Sequence, residues 1–298
     1  MGMEKTGCTL CPRRCGANRT TGRGQCGMGA RLRVARAALH TGEEPCLCGE
    51  RGAGAVFFSG CALHCVFCQN AEISQRGFGK EIGTAQLAEI FLRLQDEGAQ
   101  TLDLVSPTHF APQIARALER AKPRLRIPVV YNSNGYDSPE ALGMMDGLVE
   151  IYLPDLKYKD AALSKAYSGA ADYFDVAQAA IQEMYRQTGP LQWGANGVLQ
   201  RGLMVRHLLL PGCRKDSMAV LEALSRLAPP RHILLSLMSQ YTPCYRAAAY
   251  KEIDRRVTDF EIDSVRDYAV RLGFEGYGQA RSAADSRYTP AFDLTGVW

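Results

Sequence analysis

The chain has 298 residues, of which 46% are apolar and 22% are charged, and its formal net charge is +4 at pH 7. These values are typical of a folded protein with one large α/β domain of roughly 250 residues and a small appendage. No segment approaches the roughly 18 uninterrupted apolar residues of a membrane span, so we expect no membrane partner. The chain opens without a basic and apolar leader, so we expect a soluble protein of the cytoplasm.

Residues 1–50 are rich in cysteine, glycine and arginine and show hardly any apolar period. Nine of the eleven cysteines lie in the first 68 residues. In a reducing compartment, clustered cysteines favour metal or iron–sulfur ligation over disulfides. We therefore predict that residues 1–50 form a small cysteine-rich segment stabilised by a metal or a cluster, since such a segment cannot bury a core alone.

Four cysteines of this segment form a complete ligand set. Cys8, Cys11, Cys15 and Cys26 have the spacing C-x2-C-x3-C-x10-C. Four thiolates can bind a structural zinc ion or a second, fully ligated 4Fe–4S cluster, and the spacing does not choose between them. Two further cysteines, Cys46 and Cys48 in "EPCLCGE", are spare ligands or ordinary loop residues.

Residues 51–250 alternate short apolar runs with helical patterns. The six candidate strands are residues 53–59, 101–106, 127–133, 148–154, 203–211 and 232–239. In the helix predicted after the first of them, Thr84 can cap the start, and Leu87, Ile90, Phe91 and Leu94 fall on one face. Repeated strand–helix order predicts parallel strands, in a doubly wound sheet or a barrel, with the site at their carboxyl ends. Residues 251–298 are predicted to hold a last helix and a polar tail.

A second group of cysteines follows directly on the first strand of this series. Cys61, Cys65 and Cys68 have the spacing C-x3-C-x2-C. Three thiolates cannot complete a tetrahedral zinc site or ligate all four irons of a cubic cluster, so one metal position stays open for chemistry. The alternative is a zinc knuckle that borrows a fourth ligand such as His64.

The three-cysteine spacing, with Phe67 before the last cysteine, resembles the signature of the radical S-adenosylmethionine (SAM) superfamily. The motifs "GAGAVFFSGCALHCVFCQNAEIS", "YNSNGY", "YLPDLKY" and "RHLLLPG" also occur in the order seen in pyruvate formate-lyase activating enzymes. The resemblance covers roughly residues 50–245. It implies an α/β fold of the TIM type, a partial (β/α)6 barrel over residues 51–250, and an oxidoreductase activity. A 4Fe–4S cluster on Cys61, Cys65 and Cys68 would reductively cleave SAM to a 5′-deoxyadenosyl radical that abstracts hydrogen from a substrate.

The resemblance also implies roles for residues on later strands. Asn134 matches the asparagine of the third-strand motif, and Asp155 and Lys157 match the Asp-x-Lys of the fourth, so all three are expected near the methionine end of SAM. Arg206 matches the fifth-strand arginine, whose fork of donors suits the SAM carboxylate or ribose. A monovalent cation is implied as well, with oxygen donors from Asn132, Ser133 and Asp155.

The sequence departs from the activating enzymes at the second strand. The glycine-rich motif that would receive the SAM amino group is replaced by "SPTHF". Ser106, Thr108 and His109 are therefore the candidates for this contact, unless backbone carbonyls make it. For His109 a purely structural role is the alternative.

The partner and the substrate are open at this point. The resemblance implies a flavodoxin- or ferredoxin-type electron donor and hydrogen abstraction from a glycine of a glycyl radical enzyme. The alternative is modification or oxidation of another protein, a peptide, a small molecule or RNA with an auxiliary amino-terminal cluster. Seven arginines and no acid between Arg13 and Arg36 could dock RNA, but arginines beside cysteines also lower thiol pKa values, and we expect no nucleic-acid partner. A metal-binding scaffold without activity would not need the motifs on later strands.

Overall fold

The structure, a computed structural model, describes residues 7–278 and 290–298. The chain divides into two compact units. The first unit comprises Met1–Ala62, Asn70–Val149 and Ala291–Trp298, and the second comprises Leu63–Gln69 and Glu150–Pro290. Among the described residues, no helix has the length and apolar character needed to cross a membrane.

The first unit is a five-stranded sheet with helices. Its strands are β1 (Leu32–His40), β2 (Ala53–Phe58), β3 (Lys80–Ile82), β4 (Leu102–Val105) and β5 (Val129–Ser133). Its helices are α1 (Pro45–Cys48), α2 (Ala71–Ser74), α3 (Thr84–Asp96), α4 (Ala111–Ala121) and α5 (Pro139–Gly143), with a 3-10 turn at Thr108–Phe110. The strand order is β5, β4, β2, β1, β3. β2, β4 and β5 run parallel, whereas β1 is antiparallel to both of its neighbours.

The second unit is built in the same way. Its strands are β6 (Ile151–Pro154), β7 (Gln192–Trp193), β8 (Leu199–Leu208), β9 (Leu234–Met238) and β10 (Glu275–Gly278). Its helices are α6 (Ala161–Ser168), α7 (Tyr173–Thr188), α8 (Arg214–Leu227) and α9 (Asp259–Arg271), with 3-10 turns at Pro230–His232 and Ala247–Ala249. β6, β8, β9 and β10 pair in this order and are all parallel, and β7 pairs with β8 as a short antiparallel strand.

The fold class predicted from the sequence, α/β of the partial-barrel type, is confirmed. Each of the six predicted strands coincides with an observed one, namely β2, β4, β5, β6, β8 and β9. The predicted apolar face of α3 is buried at all four positions, Leu87, Ile90, Phe91 and Leu94. The predicted cap of α3 is wrong, because Gly83, in an extended conformation, takes the N-cap position and the helix begins at Thr84 itself.

Strand β1 is the largest element that the sequence did not predict. Its residues alternate poorly, yet Val34, Ala35 and Ala37 are fully buried. The small alanine side chains are buried by neighbouring parts of the chain. β2 pairs along one edge of β1, and the carboxyl-terminal segment adds hydrogen bonds from Leu294 N to Ala35 O and from Ala37 N to Thr295 O. Part of the cysteine-rich segment is thus a strand of the first unit. The division into 1–50, 51–250 and 251–298 remains a prediction.

The parallel strands bring the candidate residues to their carboxyl ends. In the first unit, Ser106 follows β4 and Asn134 follows β5. In the second unit, Asp155 and Lys157 follow β6, and Arg206 lies near the end of β8. The backbones of Arg206 and Asp155 form an isolated parallel β-bridge. Carboxyl ends of parallel strands are where α/β proteins build their sites.

Candidate active site

The loop after β2 carries the three cysteines, and its first cysteine is held in the first unit. The amide of Cys61 donates to the carbonyl of Cys26 (3.2 Å), and its sulfur accepts a hydrogen bond from Nδ2 of Asn134 (3.2 Å). Gly60 precedes it with a φ of +90°, and a Cβ built there would lie 2.4 Å from Cγ of Met28. Glycine is therefore required at position 60. Cys61 itself is half-buried.

The second cysteine is buried in the second unit. Cys65 Sγ lies 3.0 Å from Oγ of Ser168, the last residue of α6, and this hydroxyl is also 2.9 Å from the hydroxyl of Tyr158. Burial raises the pKa of the Cys65 thiol to about 11, although the nearby Lys157 acts in the opposite direction. A positively charged ligand at this sulfur would lower the pKa of the Cys65 thiol, against the effect of burial, and would favour the thiolate.

Backbone hydrogen bonds fix the rest of the loop. His64 N donates to Ser168 O, and Arg246 N donates to the carbonyl of Val66 (2.8 Å). Cys68, half-buried, donates its amide to Cys65 O (3.2 Å). The ring of the buried Phe67 packs edge-on against Tyr241, with centroids 5.9 Å apart. The alternative ligand His64 is exposed at the protein surface, which gives the zinc-knuckle alternative no support.

The thiols of this loop suit an iron–sulfur cluster. None of the eleven cysteines, all of which lie in the described part of the chain, forms a disulfide. No three His, Cys, Asp or Glu side chains of the described residues are arranged as a ready-made metal site. However, Cys61 and Cys65 each have a hydrogen-bonding partner for the sulfur, Asn134 and Ser168. Hydrogen bonds to the sulfurs stabilise the negative charge of a cluster, so the donor set fits this group.

A buried carboxyl group organises the end of β5, and the sequence analysis did not single it out. Asp137 Oδ1 accepts from Thr108 Oγ1 (2.6 Å) and from the Tyr131 hydroxyl (3.0 Å), and its Oδ2 accepts from Ser133 Oγ (2.6 Å). Burial raises the pKa of Asp137, while the three hydroxyl donors oppose this shift. The position of Asp137 directly after "YNSNGY" was the available signal. Ser133, predicted as a cation ligand, is thus one of its hydrogen-bond donors.

Two more predicted ligands of the first unit also contact protein groups. Asn132 donates from Nδ2 to Asp103 Oδ2 (3.1 Å). Nε2 of His109 lies 2.7 Å from Ser59 O, and burial lowers the pKa of His109 to about 4, so the ring is neutral at pH 7. This contact agrees with the structural alternative for His109. Ser106 has a φ of +60°, which is strained for a residue with a side chain.

In the second unit, Asp155 and Lys157 form a buried ion pair. Burial alone would lower the pKa of Lys157, but the Asp155 carboxylate outweighs it and the pKa is raised, so the amine stays charged. The hydroxyl of Tyr173 donates to Asp155 O (2.9 Å) and accepts from Lys157 N (3.1 Å). The two predicted residues are therefore brought together and anchored by α7.

Arg206 and its neighbour His207 lie on β8 beside this ion pair. Arg206 O accepts from Leu156 N (2.8 Å). Nδ1 of His207 lies 2.7 Å from Leu156 O, and burial lowers the pKa of His207 to about 4. Because Nδ1 then carries the proton that it donates to the carbonyl, Nε2 is a free acceptor; this buried atom has no hydrogen-bond partner among the described residues. His207 stands in the quoted motif "RHLLLPG" but was not predicted as a site residue.

The amino-terminal quartet lies in the first unit. Cys11 and Cys26 are buried, and Cys8 and Cys15 are half-buried. The side chains influence one another, since Cys26, Cys8 and Cys15 all act on the pKa of Cys11, which burial raises to about 11. The four predicted ligands are therefore close enough to act on one another, but they are not arranged as a ready-made metal site.

Cys46 and Cys48 lie outside the quartet. Both are buried in α1, and Cys48 Sγ contacts His40 O at 3.6 Å. This contact supports the ordinary structural alternative for Cys48.

Comparison with known proteins matches part of the chain to a family model and most of it to an uncharacterised relative. The model of the Radical SAM superfamily matches residues 55–165. The chain is also similar to an uncharacterised protein of Methanocaldococcus jannaschii, with 29% identity over 282 residues that cover 90% of this chain and 75% of that protein.

Solved structures show the same fold at low sequence identity. SuiB of Streptococcus suis, bound to its precursor peptide SuiA, is 13% identical with a TM-score of 0.51, over 74% of this chain and 46% of SuiB. Methylornithine synthase (PylB) is 14% identical with a TM-score of 0.51, over 72% of this chain and 60% of the synthase. A mutant of spore photoproduct lyase is 12% identical with a TM-score of 0.50, over 82% of this chain and 80% of the lyase. The match thus spans less than half of SuiB and three-fifths of the synthase.

Proposed function

Because the chain belongs to the radical SAM superfamily, we propose that Cys61, Cys65 and Cys68 bind a 4Fe–4S cluster that works with SAM on a substrate. The cluster and SAM are the groups that this family implies, and together they supply a carbon-centred radical that removes a hydrogen atom. The observation that carries the proposal is the loop after β2, which holds three cysteines outside any disulfide, with hydrogen-bonding groups at the sulfurs of Cys61 and Cys65.

The residues that would bind SAM are charged or polar groups at the strand ends. Arg206 offers a fork of donors for a carboxylate or a ribose. The Asp155–Lys157 pair keeps a charged amine in a buried place, where it can orient a carboxylate. Nε2 of His207 adds an acceptor for a hydroxyl or an amino group. In the first unit, Asn134 would support the cluster by donating a hydrogen bond to the sulfur of its ligand Cys61.

Of the predicted ligands, Thr108, His109, Asn132 and Ser133 have protein partners for their side chains. These contacts favour a supporting role, in which the side chains fix the ends of β4 and β5. A monovalent cation, if bound, would compete with Lys157 for the carboxylate of Asp155.

For the substrate we propose a glycine of a glycyl radical enzyme. The support is the order of four motifs shared with pyruvate formate-lyase activating enzymes. One electron per turnover would come from a donor of the flavodoxin or ferredoxin type, since cleavage of SAM is reductive. Modification or oxidation of another protein, a peptide, a small molecule or RNA is the competing outcome.

The first test needs no partner. Protein purified without oxygen is reduced chemically and incubated with SAM, and 5′-deoxyadenosine is measured by chromatography. We expect its formation in the wild type and its loss in Cys61→Ala, with Cys213→Ala as a matched control on a half-buried cysteine outside the loop. Equal formation in wild type and Cys61→Ala would overturn the cluster assignment.

The second test addresses the substrate. Activated protein is mixed with candidate glycyl radical enzymes, and the electron paramagnetic resonance spectrum is examined for the doublet of a glycyl radical. A doublet that requires Cys61 supports activation. Formation of 5′-deoxyadenosine without a doublet for any candidate favours the competing outcome.

A further inference from the structure

A cavity of about 450 Å³ in the first unit takes no part in the function proposed above. Its walls are formed by residues 19–23, 27–31 and 33, together with Glu81 of β3. Its volume lies in the range of small-molecule sites, which is roughly 300–1,000 Å³. The cavity is therefore large enough to enclose a ligand rather than a single water molecule or ion.

The charge of the lining indicates what kind of ligand fits. Four of the lining residues are arginines, so the space is termed the arginine cavity: Arg19, Arg23, Arg31 and Arg33. Of the described residues in its lining, Glu81 is the acidic one, so an excess of three positive charges remains. No Asp or Glu lies between Arg13 and Arg36 in the sequence. The lining therefore favours an anion with several charges.

Arg19 is fixed in the wall of the cavity by protein contacts. Its Nε and Nη2 donate to Gly29 O (3.0 and 2.6 Å), and its Nη1 donates to His109 O (2.5 Å). The guanidinium also lies over the ring of Phe110, 5.4 Å from the centroid. These three bonds do not use every N–H group of a guanidinium, so Arg19 can also donate to a ligand. Because its geometry is already set, binding costs little side-chain entropy.

Backbone hydrogen bonds hold the shape of the cavity. Ala30 N donates to Arg19 O (2.8 Å), and Gly22 N donates to Asn18 O (2.8 Å). Nε2 of Gln113, on α4, donates to Ala30 O (2.6 Å). The two segments of the wall are thus attached to each other and to α4, and the cavity is a pre-formed site.

The other arginines differ in what they contact. The carboxylate of Glu81 pairs with Arg33 (3.1 Å) and with Arg31 (3.6 Å). Both pairs are partly exposed to solvent, so each is weak and a more highly charged anion can replace the carboxylate. Arg23 is exposed and forms no hydrogen bond or ion pair with the part of the chain that the structure describes. Arg23 is therefore available to a ligand directly.

The cavity lies beside the start of the three-cysteine loop, residues 61–68. β1 is antiparallel to β2, so the start of β1 lies next to the end of β2, where Ser59 N donates to Arg33 O (3.0 Å). Met28 lines the cavity, and a Cβ built on Gly60 would lie 2.4 Å from its Cγ. One side chain therefore separates the cavity from the residue directly before the loop.

We propose that the arginine cavity binds a small molecule through a diphosphate group, beside the start of the three-cysteine loop. A single phosphate group carries about −1.5 to −2 charges at pH 7, so two linked phosphates match the excess charge of the lining better than one. Planar guanidinium groups bind phosphate oxygens in a bidentate manner. The concave shape favours a small molecule over RNA or an acidic protein, which contact extended surfaces. This binding does not depend on the radical chemistry proposed above.

The test is isothermal titration calorimetry of the full chain at fixed ionic strength, with inorganic pyrophosphate and inorganic phosphate as probes. We expect pyrophosphate to bind at one site and about tenfold more tightly than phosphate, because it contacts more guanidinium groups. Equal affinities, or no binding of pyrophosphate, would overturn the proposal. Tighter binding of a short single-stranded RNA than of pyrophosphate would also overturn it, in favour of a nucleic-acid surface.

Arg23→Gln locates the ligand in the cavity. Because Arg23 is exposed, the substitution should leave folding intact and weaken pyrophosphate binding about fivefold, the upper end for an exposed ion pair. Arg14→Gln is the matched control, since Arg14 is an exposed arginine that pairs with Glu140 and does not line the cavity. Its affinity for pyrophosphate should equal that of the wild type. An equal loss in both variants, or no loss in Arg23→Gln, would overturn the assignment.

Glu81→Gln should have the opposite effect. It releases Arg31 and Arg33, so pyrophosphate should bind about fivefold more tightly. Glu140→Gln removes the same charge outside the cavity and should leave the affinity unchanged, although both carboxyl side chains are 46% exposed and paired with arginine. Equal tightening in the two variants would show that only net charge matters and would overturn the site. Pyrophosphate binding should persist in Cys61→Ala, and its loss there would contradict a site separate from the cluster.

Discussion

The two cysteine groups of this chain are built in opposite ways. The sulfurs of Cys11, Cys15 and Cys26 accept hydrogen bonds from backbone amides of the same segment, at Arg13 for Cys11, at Gln25 and Ala17 for Cys15, and at Met28 for Cys26. The sulfurs of the three-cysteine loop instead contact side chains from distant parts of the sequence, Asn134 after β5 and Ser168 at the end of α6. A complete ligand set can therefore be made locally, whereas an incomplete set depends on the surrounding fold.

This difference has a functional meaning. A closed site needs only to hold its metal, so local turns suffice. An open site must present one metal position to a substrate, and residues on neighbouring strands can then orient both the cluster and the substrate. Substitutions far from the three-cysteine loop should consequently affect its cluster, whereas the quartet should tolerate changes outside residues 8–28.

The largest effect is expected from removal of one ligand of the three-cysteine loop. Cys65→Ala should abolish the iron bound by the loop and reduce 5′-deoxyadenosine formation to the background level, because two thiolates cannot hold the cluster. Metal content and product are measured on the same sample. An iron content equal to that of the wild type would contradict the role of Cys65 as a cluster ligand.

The next effect is on the pH dependence of stability, through His109. His109 contacts chain segments next to both cysteine groups. Its ring contacts Ser59 O, two residues before Cys61, and its carbonyl accepts from Nη1 of Arg19, which lies between Cys15 and Cys26 (2.5 Å). Burial lowers its pKa to about 4, below the ordinary value of about 6.5. Since the folded state disfavours the protonated ring, the stabilisation is complete above pH 6.5 and is lost as the pH falls toward 4. The expected loss is about 3 kcal/mol.

Urea denaturation at several pH values measures this effect. His109→Gln, which can still donate to Ser59 O, should flatten the dependence between pH 6.5 and 4. The second unit provides a comparison, because burial also lowers the pKa of His207 to about 4 and His207→Gln should flatten the curve in the same pH range. An unchanged slope in His109→Gln would contradict the assignment of a neutral buried ring.

A smaller effect is expected from the hydrogen-bonding partners of the cluster cysteines. Asn134→Ala and Ser168→Ala should each lower cluster affinity or activity about 10- to 100-fold, because groups that hydrogen-bond metal ligands tune affinity by this amount. Ser164→Ala is the matched control in α6, since its hydroxyl donates to a carbonyl of the same helix, Ala161 O (3.1 Å). If all three variants behave alike, the sulfur contacts do not support the cluster.

Much of the fold and of the cysteine chemistry could be predicted from the sequence. The six predicted strands have apolar runs long enough to be recognised, and both cysteine groups are defined by spacing alone. Strand β1 could not be predicted, because Ala35 and Ala37 are buried by β2 and by residues 291–298, more than 250 positions away in sequence. β10 likewise depends on its neighbour β9, because a Cβ built on Gly276 would lie 2.0 Å from Leu235 O.

Several site residues could not be found from spacing either. Asp137 and Ser168 matter because of partners that only the folded chain brings to them. His207 stood in a recognised motif, but its unpartnered nitrogen depends on a hydrogen bond between β8 and Leu156. Patterns of residue type identify ligands that are close in sequence, whereas residues that support ligands are selected by tertiary contacts.

The smallest effects are expected from two adjacent arginines between Cys11 and Cys15. Comparing them distinguishes a hydrogen bond to the three-cysteine loop from a surface ion pair. Arg13 donates to Ala62 O and lies over the ring of Tyr136, 5.3 Å from its centroid, so Arg13→Ala should destabilise the protein by about 1–2 kcal/mol. Arg14 pairs with Glu140 at 2.8 Å, but both side chains are about half exposed, so Arg14→Ala should cost less than about 0.5 kcal/mol. Chemical denaturation measures both values. An equal loss for the two variants would mean that the contact with Ala62 does not anchor the quartet to the loop, and that only the shared positive charge matters.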